Sequence, residues 1–521
     1  MFPNRFRDPA MHPDSRIASA RFPIASARFP GIASRAGERA SLRDAIKGDL
    51  RIDPTPKPQN LKTQEPFARM YIARMSLHRR LTLLQATAIN MIDMVGIGPF
   101  VTLPLVIGFF QSPYYIWAWV LGAVIALLDA CIWSELGAAY PLAGGTYNFH
   151  RVAYPGRSGK LLSFLFVWQT SIQAPLVVAS GALGFIEYVK YFYPGINWWE
   201  QKGIGTALIL LIALLLYRRI ESIGKLSVAL WIGVIGTIGW IIIGGLTHPK
   251  QPITLFPTAG GDFLSAAFLT ALGHASVKTI YSFLGYYNVC HLGGEIRDPG
   301  RNIPRSIFLS IAGITLLYFG LNWAVASVVP WQEAAQYKYI ASVAIERVYG
   351  PLAGRIATIL VLWVAFASLF AVVLGYSRVP YAAAVDGAFF PAFARLHPKR
   401  GFPYVSLLFI VALGMIFQFA FSLKEVISAI LAMRILVQFV AQAIGVVLLR
   451  KRRGTEGLPW KMPLYPLPVV VSIAIWLFVL YSTGLFALWG TGIALLGVIV
   501  FGLTEKWRRG WAEKVDLQRQ A

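Results

Sequence analysis

Glycine, proline and hydroxyl residues fall in the middle of two long apolar stretches of this chain. The first reads Met94-Val95-Gly96-Ile97-Gly98-Pro99-Phe100 and the sixth reads Tyr281-Ser282-Phe283-Leu284-Gly285-Tyr286-Tyr287. Gly96 and Gly98 weaken a helix, and Pro99 lacks a backbone donor but suits the first turn of a new helix. A helix restarting there presents amides around Ile97, Gly98 and Phe100, a partial positive charge suited to a carboxylate. In the sixth stretch, a helix ending near Ser282 or Phe283 presents carbonyls suited to an ammonium group. A zwitterionic α-amino acid is the simplest solute matching both ends. The competing reading is packing glycines and kinks, which are common in membrane helices. Two breaks at matching places favour a site, because in lipid an unwound backbone is tolerable only against protein, a cavity or a ligand.

The elements that must carry these breaks are apolar and long. About twelve segments are legible: 82–109, 114–140, 162–192, 204–217, 224–246, 263–291, 305–329, 355–384, 403–422, 425–449, 467–483 and 485–503. Most approach or exceed the roughly 20 residues that cross a bilayer. The chain has 521 residues, 56% of them hydrophobic, and its mean hydropathy is +0.58. The expected fold class is therefore an all-α integral membrane protein, multi-pass in the cell (inner) membrane, with lipid as a partner.

The formal net charge is +24, and its placement argues against nucleic acid. Arg151, Arg157 and Lys160 follow segment two, Arg218, Arg219 and Lys225 follow segment four, Arg395, Lys399 and Arg400 follow segment eight, and Arg450 to Arg453 follow segment ten. The alternate loops are almost neutral. This pattern puts both termini in the cytoplasm. An RNA-binding face would need clustered charge with stacking aromatics. Cys131 and Cys290 lie inside apolar segments, where packing is their expected role. No metal-spaced His/Cys cluster or serine nucleophile with partners is legible. Gly144-Gly145-Thr146 and Gly293-Gly294-Glu295 lack the phosphate-loop lysine. No enzyme, cofactor or metal is expected.

Residues 1–78 are of different material, rich in Arg, Pro, Ala and Ser, with IASARFP at Ile17–Pro23 repeated at Ile24–Pro30. Disorder is expected. The segment reads either as a basic extension that touches anionic lipid or as the product of an upstream start, with Met70 or Met75 the true beginning.

Charge at membrane depth is costly, on the order of 2.5–3.5 kcal/mol, so each such residue needs a reason. Asp93 lies one turn before Gly96; it could meet a cationic group, a coupling cation or a proton, or simply be satisfied by a neighbour such as Asn90. Lys278 lies one turn before Ser282; it could draw anions, pair with a carboxylate or snorkel toward water. Asp129, Glu135, Glu187 and His274 are weaker candidates, expected to be partnered or near an interface. Ser368 could help hold a cation, although a lone serine is more often a packing residue. Glu295, Arg297, Asp298, Arg301 and Arg305 form an alternating-charge loop whose salt bridges would latch a cytoplasmic gate only as a network.

Four stretches together resemble the amino acid–polyamine–organocation permeases. They are Gly96-Ile97-Gly98; Glu135 to Pro141 with Ala143 to Tyr147; Gly294 to Arg305; and Ser377-Arg378 with Ala384 to Gly387 and Pro391. The resemblance covers roughly 80–505. It implies the leucine-transporter fold: residues 79–250 (helices one to five) and 251–455 (helices six to ten) as inverted repeats, 456–505 as two further helices, and 506–521 as a cytoplasmic tail. It implies a secondary transporter that moves amino acids by alternating access, with a proton or sodium ion as possible coupling cation. Polyamine or organic-amine carriage, or a transport-inactive nutrient receptor, are the alternatives on the same fold. Carried over, Gly96, Ile97 and Gly98 meet the substrate carboxylate, and Ser282, Phe283 and Leu284 its amino group. Tyr281 matches an aromatic gate and Gly285 the glycine that permits unwinding. Ile97 stands where the family usually has serine, so a contact there is through its amide. The lysine often found deep in helix five is missing from Leu226–Leu246.

Overall fold

Thr82 starts the first helix. Its hydroxyl accepts from the Gln85 amide, and the Gln85 side chain accepts from the Thr82 amide, a reciprocal cap. Helix α1 (Leu83–Val95) stops at Gly96, whose φ is +43°, and α2 (Gly98–Ile107) restarts with Pro99 in its first turn. Pro104 inside α2 has no amide to offer the Phe100 carbonyl; the Tyr188 hydroxyl donates to that carbonyl at 3.4 Å.

The computed structural model describes residues 77, 79–110, 112–253 and 263–504. Leu77 aside, the expected tails over 1–78 and 506–521 lie outside the described residues. After α2 come α3 (Ile116–Ala139), α4 (Thr146–Ala153), α5 (Gly156–Val189), α6 (Trp198–Leu216) and α7 (Ile220–Thr247). The next span is α8 (Ala266–Phe283), a non-helical stretch, and the single turn α9 (Asn288–His291). Then follow α10 (Pro299–Val328), α11 (Trp331–Ala334), α12 (Ile340–Tyr349), α13 (Pro351–Tyr376), α14 (Arg378–Val385) and α15 (Tyr404–Ala420). Helix α16 (Leu423–Arg434) passes through a π turn at Ile435–Val440 into α17 (Ala441–Arg453); α18 (Leu467–Ser482) and α19 (Leu485–Leu503) finish the chain.

The described residues hold no β-strand, only two isolated bridges. Among the described residues, eight helices are long and apolar enough to cross a membrane, and the α1–α2 pair, bent by 40°, makes a ninth. Helices α15 and α18 are apolar but shorter, and the sixth span is interrupted. Three elements were not legible in the sequence as helices: α4, α11 and α12. Of these, α12 buries Ile340, Ala341, Ala344 and Ile345 on one face, too short a pattern to read as a crossing. Leu214, Leu316 and Trp489 are exposed on the outside of the bundle, an apolar surface suited to lipid. The two broken spans are central: α1 packs against α7, α10 and α13, and α8 against α3.

Candidate functional site

The two breaks satisfy each other's backbone. Asn90 on α1 donates its Nδ2 to the Tyr286 carbonyl at 2.8 Å and accepts from the Val289 amide at 2.9 Å. The Tyr286 carbonyl lies in the gap between α8 and α9, and the Val289 amide in the single turn of α9. The Tyr318 hydroxyl on α10 stands 2.8 Å from the Met94 carbonyl and 2.8 Å from the Ser282 carbonyl, so one proton serves the ends of both half-helices. Gly285, with φ +123°, lets the second break touch the first; a Cβ there would lie 2.8 Å from the Met94 nitrogen. A buried backbone group without such a partner costs about 1–3 kcal/mol, which is why these side chains are where they are.

Where the half-helices separate, a cavity opens. Asp93, Gly96, Ile97, Gly98, Tyr281, Ser282, Leu284 and Gly285 all line it. Phe283 does not: its ring packs against Trp119 and Tyr318 at centroid distances of 6.4 and 5.0 Å. Lys278 is buried outside the lining, so the opposing pulls of Asp93 and Lys278 do not meet in one cavity. The Ser282 hydroxyl donates to the Lys278 carbonyl at 3.1 Å and accepts from Thr102 at 2.9 Å. Tyr281 donates to Ser180 at 3.1 Å, since the Ser180 proton already goes to the Val177 carbonyl. Its ring packs on the apolar cluster of Leu176, Val426, Ile430 and Met433, forming one wall. The Ser368 hydroxyl donates to the Asp93 carbonyl at 3.3 Å, and a Cβ on Gly96 would come within 2.8 Å of it.

A sequence model described as amino acid permease matches residues 81–503. The chain belongs to this amino acid permease family. It is a membrane transporter by family, not an enzyme. Among similar proteins, the serine/threonine exchanger SteT of Bacillus subtilis (strain 168) is 26% identical over 428 residues, covering 81% of this chain and 94% of that protein. The branched-chain amino acid permease BcaP of the same organism is 22% identical over 450 residues, covering 82% and 92%. Its aspartate-proton symporter is 24% identical over 409 residues, covering 74% and 75%.

Within the permease cavity, the charged lining residues are Asp93 and Arg434. Asp93 is half-buried, and its Oδ2 accepts from Asn288 Nδ2 at 2.8 Å; the partner suggested by sequence, Asn90, is occupied by the other break. Arg434 was missed by the sequence reading. It sits inside segment ten, at the junction of α16 and the π turn, and is 4% exposed. The signal was there, since a lone arginine within an apolar crossing demands a reason as much as Asp93 does. Its Nη1 donates to the Tyr287 hydroxyl, and its guanidinium lies 5.3 and 5.1 Å from the ring centres of Tyr287 and Tyr376.

The ion pairing of the loop after α9 differs from the expected surface network. Glu295 is buried and pairs with Arg378, while Arg297 and Arg301 are exposed and make no ion pair among the described residues. The Glu295 carbonyl accepts from the amides of Arg80 and Leu81, and the Arg297 amide donates to the Leu81 carbonyl. The lead-in to α1 is thereby bound to the loop after α9. The weaker candidates are all partnered: Asp129 accepts from Trp133, Tyr286 and Trp476, Glu135 from Arg450 and Met462, and Glu187 pairs with Lys190 and Lys338. His274 stacks on Phe109 at 5.9 Å.

Proposed function

We propose that this permease carries a single amino acid through the cavity between the two broken spans by alternating access. The observation that carries the reading is the convergence of an α2 amino terminus and an α8 carboxyl terminus on one cavity. The amides of Ile97 and Gly98 take the α-carboxylate, and Asp93 with the carbonyl end of α8 takes the ammonium group. Tyr281 closes the wall on one side, and the Glu295–Arg378 latch holds the cytoplasmic side shut while substrate is loaded. Residues 79–250 and 251–455 act as the two inverted repeats, and both termini lie in the cytoplasm of a cell-membrane protein. Coupling to a proton or sodium ion would act through Asp93, the one acid in the lining.

Polyamine carriage fits less well, because Arg434 places a fixed positive charge in the same space. The deciding experiment is counterflow in liposomes containing the purified permease and loaded with unlabelled amino acid. Transient accumulation of the labelled amino acid is expected. Saturable binding without any counterflow would show a receptor instead and overturn the transport reading.

A further inference from the structure

We infer that the open edge of Arg434 receives a second carboxylate of the substrate, so that the site is built for amino acids with an acidic side chain. The inference rests on the transport reading above and names the substrate class of that same cavity.

Two other arginines show what this edge accepts. Arg378 donates Nε and Nη2 to the two oxygens of Glu295 at 3.1 and 3.0 Å. Arg450 donates the same two nitrogens to the two oxygens of Glu135, with Nε at 2.8 Å. Arg434 is buried, as Arg378 is, and its Nε and Nη2 have no partner among the described residues. Its remaining nitrogen is held by Tyr287, and its flat face lies near Tyr287 and Tyr376, so the fork is braced from behind. A planar fork of this kind takes a carboxylate in two parallel hydrogen bonds. Asp93 lines the same cavity and acts on Arg434 electrostatically without bonding to it, so two buried donors of the fork stay unpaired, which is costly until an acceptor arrives.

Asp93 does not fill that role here. No ion pair joins it to Arg434 among the described residues, and its Oδ2 is taken by Asn288. The charges then match one to one: ammonium on Asp93, α-carboxylate on the start of α2, side-chain carboxylate on Arg434. The π turn at Ile435–Val440 directly after Arg434 fits this role, since such turns in α-helices are frequent at functional sites.

The test is binding of L-aspartate and L-glutamate, against L-asparagine, L-glutamine, L-serine and L-leucine, to the purified full-length permease by thermal shift. The acids are expected to stabilise it at concentrations at least about tenfold lower than their amides. Arg434→Gln is expected to abolish that preference, weakening the acids at least about tenfold more than their amides. If neutral amino acids bind as well as or better than the acids, the inference falls and the transport reading stands. If Arg434→Gln weakens acids and amides alike, Arg434 is a structural lock, and the inference falls again. If no amino acid binds, the transport reading fails and takes the inference with it. Should Arg434→Gln not fold, the preference of the parent protein for acids over amides decides alone.

Discussion

The Glu295 carboxylate lies flat against the Arg378 guanidinium, Nε to Oε2 at 3.1 Å and Nη2 to Oε1 at 3.0 Å, with both side chains at most 2% exposed. Arg378 also donates to the Leu374 carbonyl and the Ser377 hydroxyl. The Glu295 carbonyl accepts from the Arg80 and Leu81 amides. One buried pair therefore ties the start of α14 to the loop after α9 and to the approach to α1.

Removing Arg378 leaves Glu295 buried without a counter-charge. Arg378→Ala is expected to destabilise the permease by about 3–5 kcal/mol, read as a lower midpoint in thermal unfolding. Arg301→Ala, at an exposed site, is expected to stay within about 0.5 kcal/mol. Equal midpoints for Arg378→Ala and the parent would mean that the pair holds nothing together.

Asn90 is the side chain that closes the second break. Asn90→Ala strands the Tyr286 carbonyl and the Val289 amide, at about 1–3 kcal/mol for each group. Lower thermal stability and lost uptake are expected together. Full uptake in proteoliposomes by Asn90→Ala would show that the break tolerates unpaired backbone, contrary to the mechanism.

The two glycines of the first break are expected to respond differently. Gly96 combines φ +43° with a Cβ position 2.8 Å from the Ser368 hydroxyl. Ser368→Gly should therefore rescue Gly96→Ala only in part, because the backbone strain remains. Gly98 has ordinary helical geometry, and its Cβ would lie 3.3 Å from the Ser282 hydroxyl. Gly98→Ala is expected to fold normally and to raise the apparent KM by narrowing the cavity. Uptake kinetics of the three variants measure this, and complete rescue of Gly96→Ala would disprove the strain argument.

Asp93→Asn removes the acid from the lining and keeps an oxygen that can accept from Asn288. Insertion and thermal stability are expected to be near those of the parent, while uptake falls at least about tenfold and its pH dependence changes. Parent-like uptake at every pH tested would remove Asp93 from the mechanism.

Much of the site was legible because its signals are local. Gly96, Gly98, Pro99 and Gly285 mark where a helix must stop, and eight of the expected site residues line the cavity. Phe283 and Lys278 lie outside the cavity lining, which spacing along a helix could not say, because it does not fix which way a side chain turns once the helix is packed. Arg434 was passed over because segment ten has no visible break; the π turn beside it follows from packing rather than from glycine or proline. The latch was assigned to neighbours in sequence, whereas Glu295 found its partner 83 positions away.

The order of residues alone determined the membrane class, the approximate crossings and the two interruptions, since hydropathy, missing amides and glycine freedom are properties of short stretches. Only the tertiary structure decided who satisfies the freed backbone and which charges face the cavity. Asn90 reaches partners 196 and 199 positions on. Hydrogen bonds and ion pairs act over a few ångströms, and which distant residues come within that range is set by how the helices pack.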